Sequence, residues 1–206
     1  MRAPAKLFLA SSNPGKLSEY RALARTAVPS SQFDVELIPG FDFLPSFKEN
    51  ASSFAENAVG KALHYSRLSE GMVFADDSGL VVPALGGRPG VHSARYAGPK
   101  ATSAERIAKL LGELGRMSGS QRAAHFVCAI ALAKQGQAIA VVTDRVEGEI
   151  RNSPSGSGGF GYDPVFYYPP LKKTFAELTA EEKNLHSHRG KAFRKLLATF
   201  DVSQAR

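Results

Sequence analysis

The chain has 206 residues, 43% hydrophobic and 22% charged, the make-up of an ordinary globular protein of one large domain or two small lobes. Its single cysteine excludes an intrachain disulfide, and no apolar run approaches the roughly 20 residues of a membrane helix, so a cytoplasmic protein without membrane contact is expected. The net charge of +7 favours anionic partners such as phosphorylated metabolites or nucleic acid, although an excess of this size is usually simple solubility.

Lys6 to Ala10 predicts a short first strand, followed by the turn cluster Ser11-Ser12-Asn13-Pro14-Gly15. Lys16 to about Thr26 predicts a helix through the spacing of Leu17, Tyr20 and Leu23. Phe33 to Ile38 is a second strand, and a loop runs from Pro39 to Asn50. Ser53 and Glu56 stand at capping-box spacing before a helix with Phe54, Ala58, Ala62 and Tyr65 on one face, ending near Leu68. Met72 to Ala75 predicts an apolar strand that ends in Asp76-Asp77-Ser78-Gly79. Gly86 to Gly90 opens a long loop that reaches Lys100. Thr102 and Glu105 repeat the capping-box spacing ahead of a helix striped by Ile107, Leu110, Leu111 and Leu114. Ala124 to Ala133 and Ala138 to Val146 predict a hairpin around Gln135-Gly136-Gln137. After a Gly- and Ser-rich stretch from Ser153 to Gly161, Pro164 to Tyr168 predicts a short strand, and Glu181 to Phe200 a helical region broken near Gly190. No linker divides the chain, so residues 1–206 are expected to form a single α/β domain.

The two adjacent carboxylates draw attention first. Strand ends in α/β proteins aim side chains into crevices. Neighbours in a strand point to opposite faces, so only one of Asp76 and Asp77 is expected to face a given ligand, and the other must be satisfied within the scaffold. A solvated Asp-Asp-Ser-Gly turn is the plain alternative. Two familiar motifs fail. Gly15-Lys16 lacks both the preceding glycine and the following Ser or Thr of a P-loop. Gly156 to Gly161 has dinucleotide-fingerprint spacing but is followed by Tyr162-Asp163-Pro164 rather than a helix. The histidines show no metal-ligand spacing. Polar segments remain at Ser11 to Lys16, Glu49 to Lys61, Asp76 to Gly79, Phe160 to Asp163, and Lys183 to Arg189. Lysines and carboxylates converging on one cleft suit a phosphate ester with a hard metal, although each piece taken singly is more often a solvated or core residue.

In order along the chain, Ser11-Ser12-Asn13-Pro14-Gly15-Lys16 with Glu19, Phe54 to Lys61, Ala75 to Leu80, Pro89 to Gly98, Gly158 to Phe166 and Ser187 to Gly190 resemble the motifs of the inosine/xanthosine triphosphate pyrophosphatases. The chain departs from them where Ser11-Ser12 replaces Thr-Gly, where Pro83 stands for a frequent Asp, and where His92 stands for a frequent Tyr. The resemblance implies an elongated mixed β-sheet flanked by helices, with two lobes around a central substrate cleft. It also implies a homodimer, Mg²⁺, and hydrolysis of the purine nucleoside triphosphates ITP, dITP and XTP to the monophosphate and pyrophosphate. By motif position Asp77 would be the general base and a metal ligand, with Glu49 a second metal ligand. Ser11, Ser12, Asn13, Pro14, Gly15, Lys16 and Lys61 would meet the triphosphate. Ser78, Phe160, Gly161, Tyr162, Asp163, Lys183, His188 and Arg189 would line the nucleoside pocket, with Lys183 and Arg189 donating to a 6-oxo group that adenine lacks. The competing readings are a Maf-type nucleotide pyrophosphatase, whose arginine pair is missing after Ser12, and a basic nucleic-acid-binding domain, for which no recognition motif is present.

Overall fold

A computed structural model of the chain describes residues 5–26 and 33–204. Seven strands order as β2-β1-β3-β4-β5-β6-β7, with β1 Ala5–Leu9, β2 Phe33–Leu37, β3 Met72–Val81, β4 Ala123–Lys134, β5 Gln137–Ile150, β6 Phe166–Tyr168 and β7 Lys173–Thr174. The helices are α1 Pro14–Thr26, α2 Phe54–Ser66, α3 Ser103–Leu114, α4 Ala180–His186 and α5 His188–Gln204. β1 pairs in parallel with both β2 and β3, whereas β5, β6 and β7 pair antiparallel, so the sheet is mixed. The chain divides into two compact units, the first from residues 1–77, 128–144 and 189–206, the second from residues 78–127 and 145–188.

In the first unit the alternation of strand side chains sorts two different faces. Leu7, Leu9, Phe74, Cys128, Ile130 and Leu132 pack with Tyr20 and Leu23 of α1 and Phe193 and Leu196 of α5. Tyr20 meets Phe74 edge-on with ring centroids 5.0 Å apart. The intervening residues Val73, Ala75, Ala129, Ala131 and Ala133 face Ala58, Ala62 and Tyr65 of α2. The run of alanines lets α2 lie close to the sheet, while the large side chains fill the space under α1 and α5. In the second unit the stripe of α3 (Ile107, Leu110, Leu114) packs with Phe126, Val146, Ile150, Phe166 and Phe175.

Most helix and strand expectations hold, with four differences. α1 begins at Pro14, two residues early, because Asn13 Oδ1 accepts from the amides of Gly15 (2.9 Å) and Lys16 (3.3 Å) and so caps the helix. Thr102 and Glu105 make the full capping box, but at α2 the Glu56 carboxylate takes the Ser52 and Ser53 hydroxyls while Ser53 Oγ caps the Glu56 amide. β3 does not end at Asp76; it runs on through Ser78 and Gly79 to Val81. The helical C-terminal region breaks at Ser187, which is extended (φ −67°, ψ 155°), and Gly190 lies inside α5. The hairpin turn between β4 and β5 has left-handed backbone at both Gln135 (φ 50°) and Gly136 (φ 77°), as a two-residue type I′ turn requires. Among the described residues no helix is long and apolar enough to cross a membrane.

Candidate active site

The first unit gathers the acidic pair and three cations. Asp76 follows Phe74 on the face of β3 that meets α1 and α5, and Asp77 follows Ala75 on the face that meets α2. Asp76 is fully buried. Its Oδ1 accepts from Lys16 Nζ at 2.9 Å, and its Oδ2 lies 3.6 Å from Arg189 Nε. Arg189 also pairs through Nη1 with Glu19. Asp77 accepts from Asn57 Nδ2 at 2.9 Å. Lys61, one turn after Asn57 on α2, donates to the Asp76 main-chain carbonyl at 2.7 Å and pairs with Glu49.

These partners push the two carboxyls apart. Burial alone would raise Asp76, but the charges of Lys16, Arg189 and Lys61 outweigh it and hold the carboxyl well below its ordinary range. For Asp77 burial dominates, the Glu49 carboxylate adds to it, and the Asn57 hydrogen bond with Lys61 and Lys16 opposes without prevailing; its pKa is raised. Lys61 loses hydration on burial, yet Asp76 and Glu49 keep it firmly protonated. Arg189 is likewise buried and is raised by Glu19 and Asp76. Asp76 is therefore a fixed anion among cations, and Asp77 is the more readily protonated of the two. Asp77 is itself buried, so the two acids differ in their partners rather than in exposure.

The turn before α1 is built by Ser11 Oγ, which accepts the Asn13 amide at 3.1 Å, and by the Asn13 cap; Ser12 and Asn13 are exposed. Gly15 contributes its amide to that cap, and Pro14 occupies the first helical position, where no amide donor is needed. Lys16 then projects from α1 to Asp76.

The second unit holds the other expected residues. Asp163 is buried and its Oδ2 accepts both Lys183 Nζ (2.7 Å) and the Phe160 amide (2.8 Å), closing a tight turn over Phe160 to Asp163. Gly159 makes that closure possible: its φ is +68°, and a Cβ there would stand 2.1 Å from Asp163 Oδ2. Lys183 Nζ lies 4.8 Å from the centre of the Phe160 ring, and Phe160 is one of the exposed large apolar side chains, at 38%. Gly161 has a left-handed backbone with open space beside it. His188 is buried and stacks on Phe126, with ring centroids 4.6 Å apart. Ser78 follows Asp77 directly along β3.

Two of the expected residues already have partners within the protein. Tyr162, expected to line the nucleoside pocket, is 4% exposed, packs in the core of its unit and donates its hydroxyl to the Ser93 carbonyl at 3.0 Å. Arg189, expected beside the base with Lys183, belongs to the first unit, and its guanidinium is engaged by Glu19 and Asp76. Sequence reasoning missed Asn57 as a partner of Asp77 and Glu19 as a partner of Arg189. Helical spacing puts Asn57 on the face of Lys61 and Glu19 on the face of Lys16, which marks both as neighbours of expected site residues but does not name their partners.

With the site described, its relatives are informative. Residues 7–199 match the Ham1 family. The dITP/XTP pyrophosphatase of Geobacillus kaustophilus is 52% identical over 192 residues, 93% of this chain and 92% of that protein. The dITP/XTP pyrophosphatase of Legionella pneumophila (strain Paris) is 46% identical over 196 residues, 94% of this chain and 97% of that protein. The solved structure of the Staphylococcus aureus Ham1 protein superposes with a TM-score of 0.83 at 37% identity and covers 96% of this chain and 99% of that one. The chain belongs to the Ham1 family.

Proposed function

We propose that this protein is a dITP/XTP pyrophosphatase, which hydrolyses dITP, XTP and ITP to the nucleoside monophosphate and pyrophosphate. Full-length similarity to curated pyrophosphatases supports the activity. The observation that carries the chemistry is the placement of Asp76 and Asp77 beside Lys16 and Lys61, with their pKa values shifted in opposite directions.

Asp77 takes a proton from the attacking water, a role its raised pKa favours. The water oxygen bonds to the α-phosphorus, the bond from that phosphorus to the bridging α–β oxygen breaks, and pyrophosphate leaves with the electron pair. Lys16 and Lys61 offset charge on the triphosphate, mainly by position and electrostatics, and Ser11, Ser12 and Asn13 of the Ser11-Ser12-Asn13-Pro14-Gly15 turn add polar contacts. Asp77 and Glu49 offer hard oxygen donors of the kind Mg²⁺ takes, and the Glu49 charge already acts on Asp77. Among the described residues no group of three or more His, Cys, Asp or Glu side chains is placed to cage a metal. Two carboxylates completed by substrate phosphates fit Mg²⁺ better than an all-protein site. When bound, Mg²⁺ would neutralise phosphate charge.

The second unit supplies the nucleoside reader. Phe160 offers a ring face for the purine. Lys183 donates to the 6-oxo group, and Ser78, Gly161, Asp163 and His188 complete the lining, while Tyr162 contributes through its backbone. Lys183 can only donate, so the 6-amino group of adenine opposes it. Arg189 is the counter-ion of Asp76. The family resemblance further implies a homodimer, which sedimentation would test. Pyrophosphate release from a panel of nucleoside triphosphates, with and without Mg²⁺, tests the whole reading. Release from dITP and XTP but not dATP, dependent on Mg²⁺, is the expected result.

A further inference from the structure

The segment Pro89 to Gly98 is the one recurrent motif for which the proposed chemistry has no use, and it is firmly built into the second unit. Residues Gly90–Arg95 form a 3-10 turn. At its centre Ser93 is buried and makes three hydrogen bonds at once. Its Oγ accepts the Leu80 amide at 2.9 Å and donates to the Gly90 carbonyl at 2.7 Å, and its own carbonyl accepts the Tyr162 hydroxyl at 3.0 Å. Leu80 lies two residues beyond Ser78 on β3. Tyr162 lies inside the turn closed by Phe160 and Asp163. α3 grips the segment just after Ser93: Arg106 Nη1 donates to the Ala94 carbonyl at 2.6 Å and Lys109 Nζ to the Tyr96 carbonyl at 2.7 Å.

We infer that Ser93 is a positioning residue that locks the Phe160–Asp163 turn to β3 through Tyr162, and so sets where Phe160 and Lys183 stand to receive the purine. This inference rests on the proposed function for its substrate, but its geometry is independent of it. The Tyr162 ring is anchored in the core, and its hydroxyl is fixed to the carbonyl of a residue whose own Oγ is held by the Leu80 amide and the Gly90 carbonyl. The turn therefore has little freedom to tilt, and small misplacements of substrate-orienting groups are expensive in rate. A neutral hydrogen bond of this kind is worth about 1 kcal/mol, which sets the expected effect near five- to tenfold.

The test uses Tyr162→Phe, which removes only the hydroxyl, and Ser93→Ala, which also orphans the Leu80 amide. Hydrogen exchange on each folded variant, followed by initial rates with dITP and dATP, gives two readouts. Amides of residues 158–163 should exchange at least about fivefold faster in both variants, including Ser93→Ala some 69 residues away in the chain. KM for dITP should rise about five- to tenfold with kcat within about threefold of wild type, and the preference for dITP over dATP should shrink. Unchanged exchange in Tyr162→Phe overturns the inference. So does faster exchange with unaltered KM and preference, or a fall in kcat alone, since any of these leaves Ser93 a structural residue only. A wild-type protein inactive on dITP would overturn the proposed substrate instead, while the exchange measurement would still decide whether Ser93 holds the turn.

Discussion

Asp76 and Asp77 are consecutive residues of β3 whose carboxyls are driven in opposite directions by what covers each face of the strand. Lys16 of α1 and Arg189 of α5 keep Asp76 ionised, whereas Asp77 accepts from the neutral amide of Asn57 on α2 and shares its surroundings with the Glu49 charge. One strand thereby carries a firmly ionised carboxylate and a more readily protonated carboxyl side by side.

Replacing Asp76 with Asn should be costly to stability. It leaves Lys16 and Arg189 facing a neutral amide in a buried setting, and losing one partner of such a group costs about 3–5 kcal/mol. Urea unfolding of wild type and Asp76→Asn measures this. Asp76 has a depressed pKa in the folded state, so its contribution is fully present above the unfolded value near 4 and is lost only as pH falls further, through the folded value. The gap between the two proteins should stay constant from pH 7 to about pH 4 and narrow below that.

Asp77→Asn should do the reverse. A carboxyl whose folded pKa is raised costs stability once ionised, and the cost is complete above its folded pKa and vanishes as pH drops below the unfolded value near 4. In the absence of divalent metal, Asp77→Asn should melt at a higher temperature than wild type at pH 7, with the difference closing towards pH 4. Thermal scans at several pH values in a chelator check the sign.

Gly159→Ala and Gly161→Ala separate backbone strain from collision. Both positions have φ near +67°, so either alanine is strained by about 1–2 kcal/mol. Only the Gly159 methyl would strike Asp163, the residue that holds Lys183, whereas the Gly161 methyl would meet open space. kcat/KM for dITP should fall at least about tenfold more in Gly159→Ala than in Gly161→Ala.

Lys183→Met removes the donor that the 6-oxo group is proposed to meet, and it leaves Asp163 buried without its cation. Steady-state rates should show dITP turnover falling steeply and the dITP-to-dATP ratio dropping by about 10²-fold or more, since a site built for one hydrogen-bond pattern rejects the opposite one strongly. A variant that kept the wild-type ratio would assign selectivity elsewhere.

Local signals made much of this legible. Thr102 with Glu105 announced α3, the apolar stripe at Ile107, Leu110 and Leu114 announced its buried face, and Gln135-Gly136 announced the β4–β5 hairpin. The failures share a cause. Asp76-Asp77-Ser78-Gly79 looks like the end of a strand because charged residues and glycine seldom continue one, yet long-range partners on α1 and α2 satisfy both acids and β3 carries on. Gly190 looks like a helix breaker, but Ser187 takes the extended conformation and α5 absorbs the glycine. In the site, motif order located Lys16, Lys61 and Asp77, but no local pattern says that Arg189 pairs with Glu19, 170 residues away, or that Tyr162 turns inward to Ser93. Those contacts are decided by tertiary packing.

The central claim is that Asp77 takes the proton from the water that attacks the α-phosphorus. Pyrophosphate release from dITP by wild type and Asp77→Asn, at matched folded fraction and saturating Mg²⁺, tests it most directly. A loss of about 10²- to 10⁴-fold in kcat is expected for removal of a general base; turnover near the wild-type rate in the variant would contradict the account.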